Sequence, residues 1–561
     1  MAPGDRLTGS RQLAEMLHAY GVTHQFFVPT MMLPLLAEAD RLGIRAVSAH
    51  GEKAAAYMAD GYARVSGRPG ICLAQTVGAA NLASGLKDAQ MACSPVIAIT
   101  GGPFEETRFR HVYQEIADYG CFAPLVKWQA SVEHSSRLPE LARQAFRVAT
   151  SGSPGPVHLE VRGHSGQIVE EESAAERAYE PRFGRIPAFR PEAQADLITA
   201  AARMLEAAER PVIIAGGGVI ASGAEAEVVA LAEKISAPVA TSMSGKAAIA
   251  EYHPLAVGVT GFYSRRAANQ VVAAADLIFY VGSRTGSMVT TNWKLPRPGT
   301  AIIHLDINPE ELGRHFETAV GLQGDAKASL LRLIQQVQPR EHRAWVGEAQ
   351  AYLRSWREEV DPALKSDSVP IRPERICAEI EKALPADGAV VVDTLQAAIW
   401  GATMIGIKSS AQRYARCAGS LGWALPATIG AKCALGERAV IGFMGDGGAY
   451  YHLAELETAA RNGINAVFVV NNNSAYAGEQ HFWPEAYGTE RADHAIHNWT
   501  FDNIDFARCA TDMGCLGIRV ERPADIAPAL QRALTSGRPT LIDVASDPAA
   551  FHPKGWLPEG D

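Results

Sequence analysis

Long apolar runs are missing from this 561-residue chain. No stretch reaches the roughly 18 consecutive apolar residues that a membrane-spanning helix needs. The opening residues, MAPGDRLTGSRQLAEML, lack the apolar centre of a secretion signal. A basic excess is missing too: 52 Lys and Arg stand against 61 Asp and Glu, a net charge of −9. That balance gives no footprint for a nucleic-acid partner. The eight cysteines are scattered and form no CxxC pair, which fits buried thiols in a reducing compartment better than a disulfide frame. Tandem repeats and low-complexity tracts are absent as well. What is present is the composition of a soluble globular protein, 47% apolar and 20% charged. At roughly 150 residues per domain the length suits about three domains. The expectation is a cytoplasmic enzyme with neither a membrane nor a nucleic-acid partner.

Helix-type and strand-type patterns alternate along the chain, which argues for α/β architecture with doubly wound parallel sheets. Three such domains are expected, at about residues 1–165, 194–338 and 371–548. The first opens with a capping sequence, Thr8-Gly9-Ser10, before an amphipathic helix. Residues 166–193 are charged and Pro-containing and read as a surface linker. The central part contains the strands Pro211–Ala215, Ala275–Val281 and Thr300–Asp306, and a charged helix near 343–360 leads into the last part.

The chain is organised around residues 438–476. Arg438–Met444 (RAVIGFM) is apolar enough for a strand buried on both faces. Gly445-Asp446-Gly447-Gly448 follows, a turn with little Cβ bulk where backbone N–H groups can approach a phosphate. A helix is predicted over about 449–462, closed by Gly463, then a strand over Ala466–Val470 ending in Asn471-Asn472-Asn473. In a parallel sheet, Asp446 and Asn473 fall at the carboxyl ends of neighbouring strands, where such sheets bind ligands. A carboxylate and an amide oxygen there are hard ligands suited to Mg²⁺, which takes its remaining ligands from water and a phosphate. By itself, GDG is also the mark of an incidental glycine turn in a βαβ unit.

The 27-residue interval from Asp446 to Asn473, with the NNSAY ending, resembles the thiamine-diphosphate motif. The three-part order extends this resemblance over essentially the whole chain, to the acetolactate synthase (acetohydroxyacid synthase), pyruvate decarboxylase and benzaldehyde lyase superfamily. The resemblance implies a pyrimidine-binding, a central and a diphosphate-binding domain. It also implies thiamine diphosphate and Mg²⁺, the metal held by Asp446, Asn473 and the Ala475 carbonyl, with Gly445, Gly447, Gly448 and Tyr476 against the cofactor. Glu52, in HGEKAAAYMADGYAR, resembles the family's E-x-x-A-x-x-x-A-x-x-Y-A-R pattern. There the Glu hydrogen-bonds the pyrimidine ring and stabilises the imino form that removes the thiazolium C2 proton. Read alone, Glu52 is equally an acid favouring a helix N-terminus.

Leu421, within Gly419-Ser420-Leu421-Gly422, falls where the family bends the cofactor with a bulky apolar residue; alone it is a core leucine. Gln396 resembles a diphosphate contact, although Leu395 and Ala397 depart from the family's Gly-Gln-His. Thr76, Gly78 and Asn81 take the place of a G-P-G-x-x-N loop near the pyrimidine, without its first Gly and its Pro. On the substrate side, Gln114 resembles the Gln of an F-Q-E motif that reaches the active centre, and His111 lies close to it. Glu479 stands where pyruvate-decarboxylase-like enzymes use a Glu to handle protons; an exposed loop charge is the alternative. His481, Phe482, Trp483, Tyr450, Trp423 and Trp400 either line a pocket or simply pack.

Met288 replaces the Arg with which acetohydroxyacid synthases grip a substrate carboxylate, and losing that bidentate pair argues against a plain acetolactate synthase. The loop Ala215–Gly223 (AGGGVIASG) resembles a dinucleotide turn, but a lone glycine cluster is weak support for FAD, and a bound flavin is not expected. The resemblance further implies a homodimer or homotetramer with active sites between subunits and a small carbonyl substrate. Three functions stay open: a 2-oxo acid decarboxylase or carboligase; a lyase on a 2-hydroxy ketone, hydroxyacyl thioester or cyclic dione; and a non-catalytic family member.

Overall fold

The computed structural model describes residues 6–115, 119–176, 178–480, 482–488, 493–552 and 555–558. After β1 (Arg6–Thr8) come β2 (His24–Phe27), β3 (Arg45–Ser48), β4 (Gly70–Ala74), β5 (Val96–Gly102), β6 (Trp128–Val132) and β7 (Val157–Arg162). These last six form one parallel sheet in the order β3-β2-β4-β5-β7-β6. β8 (Glu172–Ala174) pairs antiparallel with β1. The central sheet contains β9 (Pro211–Ala215), β10 (Val239–Thr241), β11 (Ala256–Val259), β12 (Leu277–Val281), β13 (Ala301–Asp306) and β14 (Val320–Gln323), ordered β11-β10-β9-β12-β13-β14. The third holds β15 (Ala389–Val392), β16 (Arg413–Arg416), β17 (Val440–Gly445), β18 (Val467–Asn472), β19 (Leu516–Val520) and β20 (Thr540–Ala545), ordered β16-β15-β17-β18-β20-β19. All three sheets are parallel and flanked by helices, as the alternation in the sequence requires.

The first and third sheets share one apolar core, which runs through two helices, Glu52–Ser66 and Ala424–Leu435. Both helices are buried on nearly every face, and small residues bring their backbones close. A Cβ on Gly61 would lie 2.2 Å from the Ala427 carbonyl oxygen, and one on Gly430 would lie 1.8 Å from that of Met58. The central sheet keeps separate cores on its two faces. Among the described residues, no helix is long and apolar enough to cross a membrane.

Three local expectations change. Residues 166–193 are not a free surface linker: β8 is paired with β1, and Val169 and Phe183 are buried against the first sheet's core. Apolar side chains within that charged run fasten it down. The helix expected over 449–462 is broken into Asp446–Ala449, a 3₁₀ turn Tyr450–His452, and Glu455–Arg461. Tertiary contacts outweigh helical propensity there, because Tyr450 packs on Phe501 and Phe506 at 5.3 and 5.0 Å between ring centres. Finally, the loop after β4 ends early. A helix begins at Ala79 and carries Asn81 in its first turn.

Candidate functional site

β17 and β18 are hydrogen-bonded neighbours, and Asp446 and Asn473 follow their carboxyl ends directly. Asp446 Oδ1 accepts from the Gly447 N–H at 2.8 Å and Oδ2 from the Ala475 N–H at 3.2 Å. Asn473 Oδ1 accepts from that same Ala475 N–H at 3.2 Å. The carboxylate and the amide oxygen therefore converge on one point. Burial raises the Asp446 carboxyl from 3.8 to about 6, a cost that a bound cation would offset. Ser474 sits in the left-handed region at φ 56° and turns the chain between Asn473 and Ala475. Asn472 points away, donating to Asp543 Oδ1 at 2.9 Å and to the Ile504 carbonyl at 3.1 Å. That alternation along the strand end separates the structural Asn from Asn471 and Asn473.

Asp446, Asn471 and Asn473 border a cleft of about 390 Å³ that also touches Asp393, Leu395, Gln396, Leu421, Gly445, Gly447, Gly448, Tyr451, Ala475, Tyr476, Glu479 and Trp483. It opens between β15 and β17, where the strand order reverses. Two buried polar atoms facing it lack partners, Gln396 Nε2 and Asn471 Oδ1. The glycines leave no slack on the protein side. A Cβ on Gly447 would meet the Tyr476 ring at 2.3 Å, and one on Gly448 would meet Asp393 Oδ2 at 2.3 Å. Gly445 has nothing within 4 Å of its absent Cβ, which leaves backbone open to a ligand. An oxygen pair for a divalent cation, an unsatisfied donor and bare glycine backbone fit a metal-bound diphosphate. Among the described residues, no group of three or more His, Cys, Asp or Glu is placed to hold a metal ion.

Glu52 begins the helix Glu52–Ser66, beyond the end of β3. Asn81 Nδ2 donates to its Oε2 at 3.4 Å, and a Cβ on Gly78 would lie 2.4 Å from its Oε1. The glycine thus makes room for the carboxylate. Thr76 is buried, with its N–H and hydroxyl both donating to the His164 carbonyl at 3.0 and 3.2 Å. None of Glu52, Thr76 and Asn81 borders this chain's own 390 Å³ cleft. Gln114 and His111 stand in a loop at φ 66° and 58°. Glu115 ties that loop, accepting from the Phe109 and Val112 N–H groups at 2.6 and 3.2 Å. Gln114 Oε1 is buried without a partner.

Gly419 and Ser420 stand outside the cleft, on the loop leading to Leu421. Of the aromatic candidates, Trp483 borders the cleft, Phe482 is exposed, and Trp400 and Trp423 are wholly buried packing residues. His481 lies outside the described residues. Sequence reasoning passed over Asp393, which closes β15 and accepts from the Thr394 and Gly422 N–H groups at 2.9 and 3.1 Å. An acid at the end of an otherwise apolar strand, AVVVD, was the available signal. The dinucleotide-like turn after β9 and the Met288 segment border a separate cavity of about 890 Å³ at the carboxyl ends of the central strands.

Three family models match the chain: the thiamine pyrophosphate enzyme N-terminal TPP binding domain over residues 7–120, the central domain over 198–333, and the C-terminal TPP binding domain over 393–544. A probable acetolactate synthase large subunit of Methanocaldococcus jannaschii is 32% identical, over 98% of this chain and 93% of its own. Glyoxylate carboligase of Escherichia coli O157:H7 is 30% identical over 92% and 89%. The acetolactate synthase isozyme 1 large subunit of Escherichia coli K12 is 30% identical over 97% and 94%.

Proposed function

The chain belongs to the thiamine-pyrophosphate enzymes of the acetolactate synthase family, and from that premise we propose a Mg²⁺-dependent enzyme that decarboxylates a 2-oxo acid and passes the acyl unit to a carbonyl or a proton. The convergence of Asp446 Oδ2 and Asn473 Oδ1 on the Ala475 N–H carries this reading. We assign residues 1–165 to a pyrimidine-binding unit, 194–338 to a central unit and 371–548 to a diphosphate-binding unit.

When bound, thiamine diphosphate would supply a group that accepts the electron pair left by a broken C–C bond. Asp446, Asn473 and the Ala475 carbonyl would hold the metal, and Gln396 Nε2 would donate to a phosphate oxygen. Leu421 would orient the two rings from its side of the cleft. Glu52 would hold a proton at the pyrimidine nitrogen, its carboxylate kept in place by Asn81 and by the space over Gly78. Glu479 and Gln114 are candidates for moving a proton at the substrate.

Glu52 stands outside this chain's cleft, while Leu33, Val77, Phe109 and Tyr113 on the first sheet's side are each more than half exposed. That favours an active centre completed by a second copy, a homodimer or homotetramer. Sedimentation as a monomer at working concentration would refute it.

Calorimetric titration tests the core of the reading: thiamine diphosphate should bind only with Mg²⁺ present. No binding would favour a non-catalytic member of the family. Met288 in place of a carboxylate-gripping Arg favours a second reading, a C–C lyase acting on a neutral carbonyl compound. CO₂ release over a panel of 2-oxo acids separates the two, since none from any member would discard the first.

A further inference from the structure

The loop between β16 and the helix Ala424–Leu435 carries Leu421; Cys417 and Trp423 at its two ends enter the apolar core, while Ala418–Leu421 between them stay outside it. Gly419 is exposed, and a Cβ there would touch only the Met91 side chain, at 3.6 Å. Its conformation is instead held by hydrogen bonds to two buried carboxylates from opposite directions. Asp393 takes the Gly422 N–H at 3.1 Å. Asp88, on the helix Ala79–Met91, takes the N–H groups of Ala418, Gly419 and Ser420 at 2.9, 3.1 and 3.0 Å, and the Cys417 thiol at 3.3 Å. Asp88 is fully buried, and Arg64 Nη2 pairs with its Oδ1 at 2.6 Å. Arg64 also holds Asp60, whose Oδ2 accepts from Trp423 Nε1 at 2.8 Å, and its guanidinium lies 4.4 Å over the Trp423 ring.

We propose that Asp88 is a positioning residue for the cofactor: through three successive backbone N–H groups it sets the 417–422 loop, and thereby where Leu421 stands across from the Gly445–Gly448 turn. This rests on the function proposed above. Buried ion pairs by themselves add little stability, but directional bonds from one carboxylate to three consecutive amides define a single loop shape. The loop sits tight against the opposite wall, since a Cβ on Gly422 would lie 2.4 Å from Tyr451 Cβ and 3.1 Å from the Gly448 carbonyl oxygen. A loop released at 418–420 would therefore change the width of the cleft itself.

Asp88→Asn keeps the size and removes the charge. In the cofactor-free protein, deuterium uptake at the amides of 418–420 should quicken at least about ten-fold. The Kd for thiamine diphosphate at fixed Mg²⁺ should weaken by about ten-fold, and C2-proton exchange at saturating cofactor should slow. A role confined to docking would lower Tm and leave the saturated C2 exchange rate within two-fold of wild type; that result overturns the proposal, as does unchanged uptake at 418–420. Should Asp88→Asn not fold, Arg64→Lys keeps the charge but loses the second donor, and an unchanged Kd there overturns it equally. Wild type that binds no thiamine diphosphate would sink the function proposed above. The uptake measurement, made without cofactor, judges the loop separately.

Discussion

The first and third sheets run their strands in the same order, and their carboxyl ends are built in opposite ways. In the third sheet the crevice at the reversal of strand order is open, lined by Asp393, Leu395 and the Gly445–Gly448 turn. In the first sheet the corresponding loops, after β2 and β4, are tied together: Gln75 Nε2 donates to the Thr30 carbonyl at 3.0 Å and its hydroxyl at 2.6 Å. What that side offers instead is one acid, Glu52, one strand further out. Identical topology thus yields an open crevice in one place and a single presented carboxylate in the other, because the loops differ.

Breaking the crevice side should have the largest effect. Asp446→Ala should cost at least roughly 100-fold in Mg²⁺-dependent cofactor affinity, ~2.8 kcal/mol at about 1.4 kcal/mol per decade. Calorimetry showing unaltered retention would undo the assignment of the metal site. Glu52→Gln should separate the two sides, lowering turnover by about 100-fold while the cofactor Kd stays within a few-fold. Near-normal turnover would mean that the acid is only a helix-start residue.

A pair of glycine substitutions sharpens the contrast. Gly78→Ala pushes on Glu52 and should slow turnover about ten-fold with the cofactor Kd little changed. Gly445→Ala meets no protein atom, so the Tm of the cofactor-free protein should hold while cofactor affinity falls about ten-fold. Equal effects on the Kd from both would erase the distinction.

The smallest expected effect is a pH slope. Burial raises Asp393 from 3.8 to about 7, so between those values the native state binds a proton that the unfolded chain does not. Its contribution to stability therefore declines as pH rises toward 7. Asp393→Asn should flatten that part of the Tm–pH curve of the cofactor-free protein by a few degrees; an identical curve would show that the group does not titrate there.

The fold class was legible because alternating buried strands and amphipathic helices leave a strong periodic signal, and Pro211–Ala215 matched to the residue. The closeness of Asp446 and Asn473 was legible because each directly follows one of two neighbouring apolar strands, whatever form the helical segments between them take. The break after Ala449 was not, since it depends on Phe501 and Phe506, some fifty residues away along the chain. Nor was Asp88, whose loop partners lie more than 300 residues further on. An isolated acid within a helix carries no local mark of such contacts.

The three consecutive asparagines after Val470 raise a problem of identity, since any slip along the strand would still present an amide to the crevice. The choice is made from next door. Asp543, buried on β20, accepts from Asn472, Arg519 and the Phe506 N–H at 2.9, 2.6 and 2.9 Å. It acts as a key for alignment: with the middle amide engaged there, Asn471 and Asn473 are the two that border the crevice. A carboxylate outside the crevice thereby decides which asparagines line it.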